Sequence, residues 1–185
     1  MKKAGLSILI LLLVKGSDTI ANMQTKSGWR KNIQKLAASH AGSWILQRIL
    51  PPIDRQVFRL SGGRQTLVSL IAGLPTLLLT STGAKSGRLR TTLLVGIPHD
   101  DGYIIIGSNF GQKHHPAWAY NLRAHPNVSI LRVGRTSKYT AREIHGVERQ
   151  QCWQKATDYY SGFNAYNARA NREIAVFVLE PLNKM

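Results

Sequence analysis

The sequence predicts an α+β domain in which about six mainly antiparallel strands close into a small barrel, flanked by helices and preceded by a helical extension. Three observations predict it. After Leu74, short β-rich segments follow one another, separated by turn chemistry; one helix interrupts them; and the regular strand-helix alternation of a doubly wound sheet is absent. Closure into a barrel is favoured because it removes exposed strand edges.

The first segment, Met1 to Lys15, has a basic start (Lys2, Lys3) and an apolar run from Leu6 to Val14. It resembles an export signal, but the run is shorter than the ~20 residues of a spanning helix and no small-x-small cleavage pattern follows it. A membrane-surface anchor and an upstream extension, with Met23 as an alternative start, are the other readings. Residues 1–27 are therefore an apolar and basic extension, and 28–73 an amphipathic helical segment. From Gly28 to Ala72, apolar residues such as Trp29, Ile33, Leu36, Trp44, Ile45 and Ile49 recur at helical spacing, broken at Pro51-Pro52. Further helices are expected over Asp54–Leu60 and Thr66–Ala72, and Arg48, Arg55, Arg59 and Arg64 make this region basic. Helices packed on the domain and contact with a membrane surface both fit that pattern.

Residues 74–185 carry the barrel. Strands are expected over Thr76–Thr82, Arg90–Ile97 and Tyr103–Ser108, joined by the loop Gly83–Gly87 and the turn His99-Asp100-Asp101-Gly102, where Asp-Gly supplies positive φ. Pro116 opens a helix that Pro126 ends. Val128–Val133 and Ser137–Ile144 form a hairpin about Gly134-Arg135, Val147–Tyr160 is a helix, and Ile174–Glu180 is the last strand.

The composition narrows the chemistry. With 185 residues, 43% of them hydrophobic and 18% charged, the chain can bury one core and is neither disordered nor fibrous. Its single cysteine, Cys152, excludes an internal disulfide, and nothing requires an oxidising compartment, so the cytoplasm is the simpler location. Lys and Arg number 25 against 9 Asp and Glu, a net charge of +16. An anionic partner is expected: nucleic acid, an anionic leaflet, or a phosphorylated cofactor or substrate. The arginines are spread through helices and loops without an RNA-binding aromatic motif, which argues against a specific nucleic-acid partner. A basic membrane- or nucleic-acid-binding module without catalysis is nonetheless the alternative of another class.

Three segments carry candidate chemistry. The hairpin TGAKSGRLR, 82–90, gathers Lys85, Ser86, Arg88 and Arg90 on a glycine-flanked turn suited to an anion, but lacks the ending and following helix of a P-loop. GSNFGQKHHPAWAYNLRAHP, 107–126, runs from a strand end into a helix; Ser108, Asn109 and Gln112 can bond a heterocycle, and Trp118 and Asn121 either line a flat pocket or belong to the buried stripe. Tyr160, Phe163 and Tyr166 follow one another at spacings of three and form either core packing or an apolar substrate lid with two hydroxyls. His114 and His115, with His125 or His99, do not make a metal site, since adjacent histidines point apart and no carboxylate accompanies them. No Gly-x-Ser-x-Gly occurs, and Cys152 reads as a buried helical thiol.

In order and spacing, the TSTGAKSGRLRTT hairpin, the 107–126 segment, the aromatic cluster and the closing VFVLEP resemble the deazaflavin (F420)-dependent nitroreductase family, over about residues 74 to 181. The resemblance implies a split β-barrel of the flavin-reductase type that binds coenzyme F420 and passes hydride to a hydrophobic organic acceptor such as a quinone, enone or nitroaromatic. FMN is the alternative cofactor. It also implies that Ala84, Lys85, Ser86, Arg90, Thr91, Thr92 and Leu93 hold the coenzyme's phosphate and polyglutamate tail. Ile106, Gly107, Ser108 and Asn109 would flank the ring, and Ala117, Trp118, Ala119, Tyr120 and Asn121 would complete the groove. Tyr160, Phe163 and Tyr166 fall on substrate-facing positions, with Tyr160 and Tyr166 as the catalytic phenols. The chain departs from the family pattern at Ala84, at Leu93 where proline is frequent, and at Phe163 where a tyrosine would offer a proton. Peripheral membrane contact at the inner face and a homodimer complete the expectations.

Overall fold

The computed structural model describes residues 56–58, 61 and 73–182. The expectations for Met1–Lys15 and for nearly all of Gly28–Ala72 lie outside the described residues. Within the expected Asp54–Leu60 helix, Val57 and Phe58 are buried, and Ser61 donates to their carbonyls through its N–H (2.9 Å) and hydroxyl (3.0 Å).

From Gly73 onward, seven strands form one sheet: β1 (Thr76–Thr82), β2 (Leu89–Val95), β3 (Ile97–His99), β4 (Gly102–Ile106), β5 (Asn127–Arg132), β6 (Arg135–Glu143) and β7 (Val176–Pro181). Their order is β2-β1-β5-β6-β7-β4-β3, with each neighbouring pair antiparallel. The count is seven and not six because the expected strand Arg90–Ile97 is two strands with only Gly96 between them. Those two lie at opposite edges of the order, so the sheet curls until its edges meet at this residue. Gly96 is buried, its N–H donates to the Pro75 carbonyl at 3.0 Å, and a Cβ there would run into Cγ and Cδ2 of Leu77.

Alternation along the strands sorts the apolar residues into two clusters. Ile105, Phe177 and Leu179 join Leu77, Leu79, Val128, Ile130 and Ala141 on the inner face of the curl, where helix α1 (Ala117–Ala124) inserts Trp118, Ala119 and Leu122. Ile104, Ile106, Val176 and Val178 point the other way, under helices α2 (Gly146–Tyr159) and α3 (Gly162–Ala170). Strands β4 and β7 are thus covered on both faces, which is why their sequences read as unbroken apolar runs. Leu78 faces away from Leu77 and Leu79 and is only half-buried.

The turns depart in detail from expectation. The positive φ of the β3–β4 turn falls on Asp100 (47°), not on Gly102, and the β5–β6 turn is Val133-Gly134, with φ of 50° and 73°. No helix is expected over Gly162–Ala170, yet α3 forms there. Tyr160 caps α2 in extended backbone (φ −147°) and its ring lies directly over Gly162, where any Cβ would collide with it. The chain therefore breaks between Tyr160 and Phe163, so their spacing of three does not describe one continuous helix. Among the described residues no helix is long and apolar enough to cross a membrane.

Gly96→Ala is expected to lower stability by ~1–3 kcal/mol through overpacking against fully buried Leu77. In a double-mutant cycle followed by chemical denaturation, adding Leu77→Ala should make the pair less destabilising than the sum of the single variants by at least ~0.5 kcal/mol. Strict additivity would show that Leu77 is not what the glycine avoids.

Candidate functional site

The β1–β2 hairpin is held in register from Thr76↔Val95 to Thr82↔Leu89. Its connection closes through the Gly83 N–H on the Arg88 carbonyl (2.9 Å) and the Gly87 N–H on the Gly83 carbonyl (2.8 Å), while the Ser86 hydroxyl accepts from the Arg88 N–H (3.4 Å). Lys85, Arg88 and Arg90 are exposed along this turn, and among the described residues no carboxylate lies within ion-pair distance of them. Such a cluster repels itself unless an anion covers it. On the edge strand β2, Thr91 is exposed and Thr92 and Leu93 are half-buried.

Asn121 of α1 fixes the loop. Its Oδ1 accepts the Ala84 N–H at 2.9 Å, and its Nδ2 donates to the Ser81 hydroxyl at 3.2 Å, with Asn121 and Ser81 both buried. Two residues expected at the site, Ala84 and Asn121, are therefore brought together, and their polar groups serve each other. The rest of α1 divides by face. Trp118 and Ala119 are core, Trp118 meeting Phe177 edge-on at 5.8 Å, while Ala117 and Tyr120 reach the surface. Tyr120 lies edge-on to His115 at 5.8 Å and under the Arg123 guanidinium.

After β4, Ile106 remains in the core and the Gly107 N–H donates to the Ala175 carbonyl at 2.8 Å. Asn109, Phe110 and Gly111 then take positive φ in succession (47°, 55°, 82°). Asn109 Nδ2 donates to Gln112 Oε1 (3.0 Å) and to the His114 carbonyl (3.1 Å), so its amide shapes the loop from within. The whole Gly107–His115 loop is gathered around one guanidinium, that of Arg172 just beyond α3, which reaches carbonyls of Gly107, Ser108, Gln112 and His114 and the Nδ1 of His115. Because a guanidinium only donates, Nδ1 must accept, and the His115 proton sits on Nε2. Burial, with Arg172 and then Arg123 adding repulsion, pulls the His115 pKa below its ordinary value.

Tyr160, Phe163 and Tyr166 form a closed ring cluster, each buried. Tyr160 meets Phe163 edge-on at 5.2 Å, the two phenol oxygens are 2.9 Å apart, and Tyr166 touches Phe110 at 6.0 Å. Phe110 thereby joins the 107–115 loop to the aromatic cluster, and Arg169 reinforces the link by donating to the Phe110 carbonyl at 3.4 Å. Burial first, and then the neighbouring Tyr166, raise the Tyr160 pKa, so its phenol keeps its proton throughout the neutral range.

Arg172 and Phe110 carry no local signal in the sequence: the loop partners of Arg172 stand 57 to 65 residues earlier. Among the described residues no group of three His, Cys, Asp or Glu is arranged to hold a metal, and burial raises the Cys152 thiol pKa. An open polar cleft of about 430 Å³ lies away from the hairpin, behind Arg172, between Arg149 and Asn167.

Comparison with known proteins identifies the family and the fold. The family model described as F420H(2)-dependent quinone reductase matches residues 53–181. A protein of Mycobacterium tuberculosis (strain ATCC 25618 / H37Rv) named F420H(2)-dependent quinone reductase is 34% identical over 152 residues, covering 80% of this chain and 97% of that protein. A solved structure titled as an F420-H2 dependent reductase superposes with a TM-score of 0.54 at 36% identity, over 57% of this chain and 94% of that one. A second solved chain, described as a domain-swapped dimer, is 30% identical with a TM-score of 0.55, over 75% of this chain and 98% of that one. The curled antiparallel sheet and these matches agree, and the chain belongs to the F420H(2)-dependent quinone reductase family, as an oxidoreductase that works with coenzyme F420.

Proposed function

We propose that the protein transfers a hydride from reduced F420 to a hydrophobic quinone, with the coenzyme lying from the β1–β2 hairpin along α1 to the Gly107–Asn109 segment. The observation that carries this reading is the trio Lys85, Arg88 and Arg90, exposed and without a carboxylate partner among the described residues. The donor set fits the group, since a phosphodiester with several carboxylates is matched by guanidinium and ammonium donors on a hairpin end. When bound, the reduced deazaflavin supplies the hydride.

The chain's own part is binding and orientation. Lys85 and Arg90, with Ser86 and Thr91 to Leu93 beside them, hold the anionic tail, and Asn121 keeps their loop against α1. Ile106 to Asn109 border the ring, and Ala117 and Tyr120 offer the exposed face of α1 as the groove wall. Tyr160 and Tyr166 act as a hydrogen-bonded pair, one hydroxyl donating to the other and the second donating toward the acceptor, and Tyr160 is not a phenolate base, because burial keeps its proton in place. Phe163 at the centre of the cluster makes that wall apolar and favours quinones over compact nitro compounds, with enones and nitroaromatics as secondary acceptors. FMN, with one phosphate, would leave part of the cationic hairpin uncovered.

Self-association belongs to the same reading, since β2 ends the sheet order with no further strand beside it among the described residues, and a relative is described as a domain-swapped dimer. Peripheral contact of the basic 28–72 segment with the inner face of a membrane, where quinones dissolve, rests on the sequence pattern alone.

Lys85→Ala and Arg90→Ala should each weaken F420 binding about ten-fold or more, the scale of one charge-assisted hydrogen bond, while leaving the melting temperature nearly unchanged. Fluorescence titration checks this: unchanged curves in both variants would remove the hairpin from the site, and saturable FMN binding without F420 binding would replace the cofactor. Asn121→Ala should differ by lowering both affinity and stability, the latter by ~1–3 kcal/mol, because it leaves the buried Ser81 hydroxyl without its partner. Phe163→Tyr should raise the rate with a nitroimidazole relative to that with a quinone. A ratio equal to that of the unaltered protein would deny Phe163 its role in acceptor choice.

A further inference from the structure

The Gly107–His115 loop has an unusual support. Three successive residues with positive φ give it no regular hydrogen-bond ladder of its own, and its short 3₁₀ turn holds only the Gly111 N–H on the Ser108 carbonyl (2.9 Å) and the Gln112 N–H on the Asn109 carbonyl (3.1 Å). Left-handed backbone at Asn109 and Phe110 costs energy that the surroundings must offset. Those surroundings include the Asn109 amide, Arg169 on the Phe110 carbonyl and, with the most contacts to the loop, the guanidinium of Arg172. Nε donates to the Gln112 carbonyl (3.1 Å); Nη2 donates to those of Gly107 (3.1 Å), His114 (3.2 Å) and Ser108 (3.3 Å); Nη1 donates to the Glu173 carbonyl (3.2 Å) and His115 Nδ1 (3.0 Å).

We propose that Arg172 is a positioning residue for F420: without touching the coenzyme, its guanidinium fixes the Gly107–His115 loop in the shape that the ring requires. The inference rests on the placement of the ring beside Gly107–Asn109 proposed above. Four loop carbonyls converge on one rigid fork, so the first and last turns of the loop cannot move independently. The planar geometry matters as much as the charge, because a lysine ammonium carries its three donors on one atom and cannot take the carbonyls held by Nη2 together with the Gln112 carbonyl on Nε and His115 Nδ1 on Nη1.

The fork also joins the loop to a titrating group. His115 faces Arg172, Arg123 and the Tyr120 ring, with Glu143 beyond, and it shares a pocket with His145, Arg149 and Glu173. Only neutral His115 offers Nδ1 as an acceptor. Since its folded pKa is lowered, protonation opposes the folded loop: the stabilisation is complete above about the unfolded value of 6.5 and is lost as pH falls toward the lowered folded pKa. Coenzyme affinity should fall only as pH drops through the lowered folded pKa, where His115 of the folded protein takes up its proton.

The test uses the full chain with Arg172→Ala and Arg172→Lys. Hydrogen exchange on cofactor-free protein is expected to speed up in residues 107–115 of both variants, with the β5–β6 hairpin unchanged. F420 affinity is expected to drop about ten-fold or more in both, at the scale of losing charge-assisted bonds. Millimolar guanidinium should restore affinity in Arg172→Ala, but not in Arg172→Lys or Arg90→Ala. The His115 NMR titration should move upward in Arg172→Ala, as the neighbouring positive charge is gone. Unaltered exchange in 107–115, or acceleration shared equally by the β5–β6 hairpin, would overturn the positioning role while leaving the coenzyme placement standing. Accelerated loop exchange with unchanged F420 affinity would instead overturn the placement of the ring, and the inference with it. If Arg172→Ala does not fold, Arg172→Lys alone decides by its exchange and affinity, and a lysine variant indistinguishable from the unaltered protein in both would refute the need for the fork.

Discussion

The passage of the chain through Gly96 governs the rest of the molecule. One residue separates β2 from β3, although they occupy opposite edges of a seven-stranded order, so the sheet has no flat solution. Once curled, it has an inside. That interior needs an apolar plug, supplied by Trp118, Ala119 and Leu122 of α1, and the seating of α1 places Asn121 against Ala84 and Ser81. The outer faces of β4 and β7 must be covered as well, which brings α2, α3 and their aromatic cluster against the end of β4. The candidate site lies along the surface between these two coverings. Its cationic hairpin has no carboxylate partner among the described residues.

Much of this was legible locally. An unbroken apolar run, an Asp-rich turn and Pro116 mark β1, the β3–β4 turn and α1 to within a residue or two, because neighbouring residues decide each of them. The break at Gly96 was not, since Leu93, Leu94, Val95 and Ile97 read as one apolar strand and the reason for the break is Leu77, a contact distant in sequence. Tyr160, Phe163 and Tyr166 suggested one helical face. They do converge, but through a chain break at Gly162 that lets the Tyr160 ring fold back. Of the candidate site, the exposed cations were readable as charge on a turn, whereas the commitment of Asn121 to Ala84 depends on side chains 37 residues apart.

The polar ties share a design. Asn121 and Arg172 each come from outside the segment they shape, and each satisfies main-chain groups that a curved, irregular connection leaves without a ladder partner. By contrast, the surface ion pairs, Arg142 with Glu148 and Glu180 and Arg123 with Glu143, join regular elements already fixed by packing and contribute little beyond that. In these two loops a side chain from elsewhere in the fold, an accepting amide oxygen in one and a donating guanidinium in the other, acts beside the loop's own residues such as Asn109.

The sheet order also has a consequence for synthesis. β7 is inserted between β6 and β4, although its residues, Val176–Pro181, follow those of β4 by 70 positions or more. On the ribosome, the β1–β2 and β5–β6 hairpins can form early from neighbours in the chain, but β4 has only β3 as a partner until β7 emerges. The nascent chain therefore carries an exposed, isoleucine-rich β4 with an open edge until β7 has been made. That interval is when aggregation threatens it and when a chaperone would find most to hold.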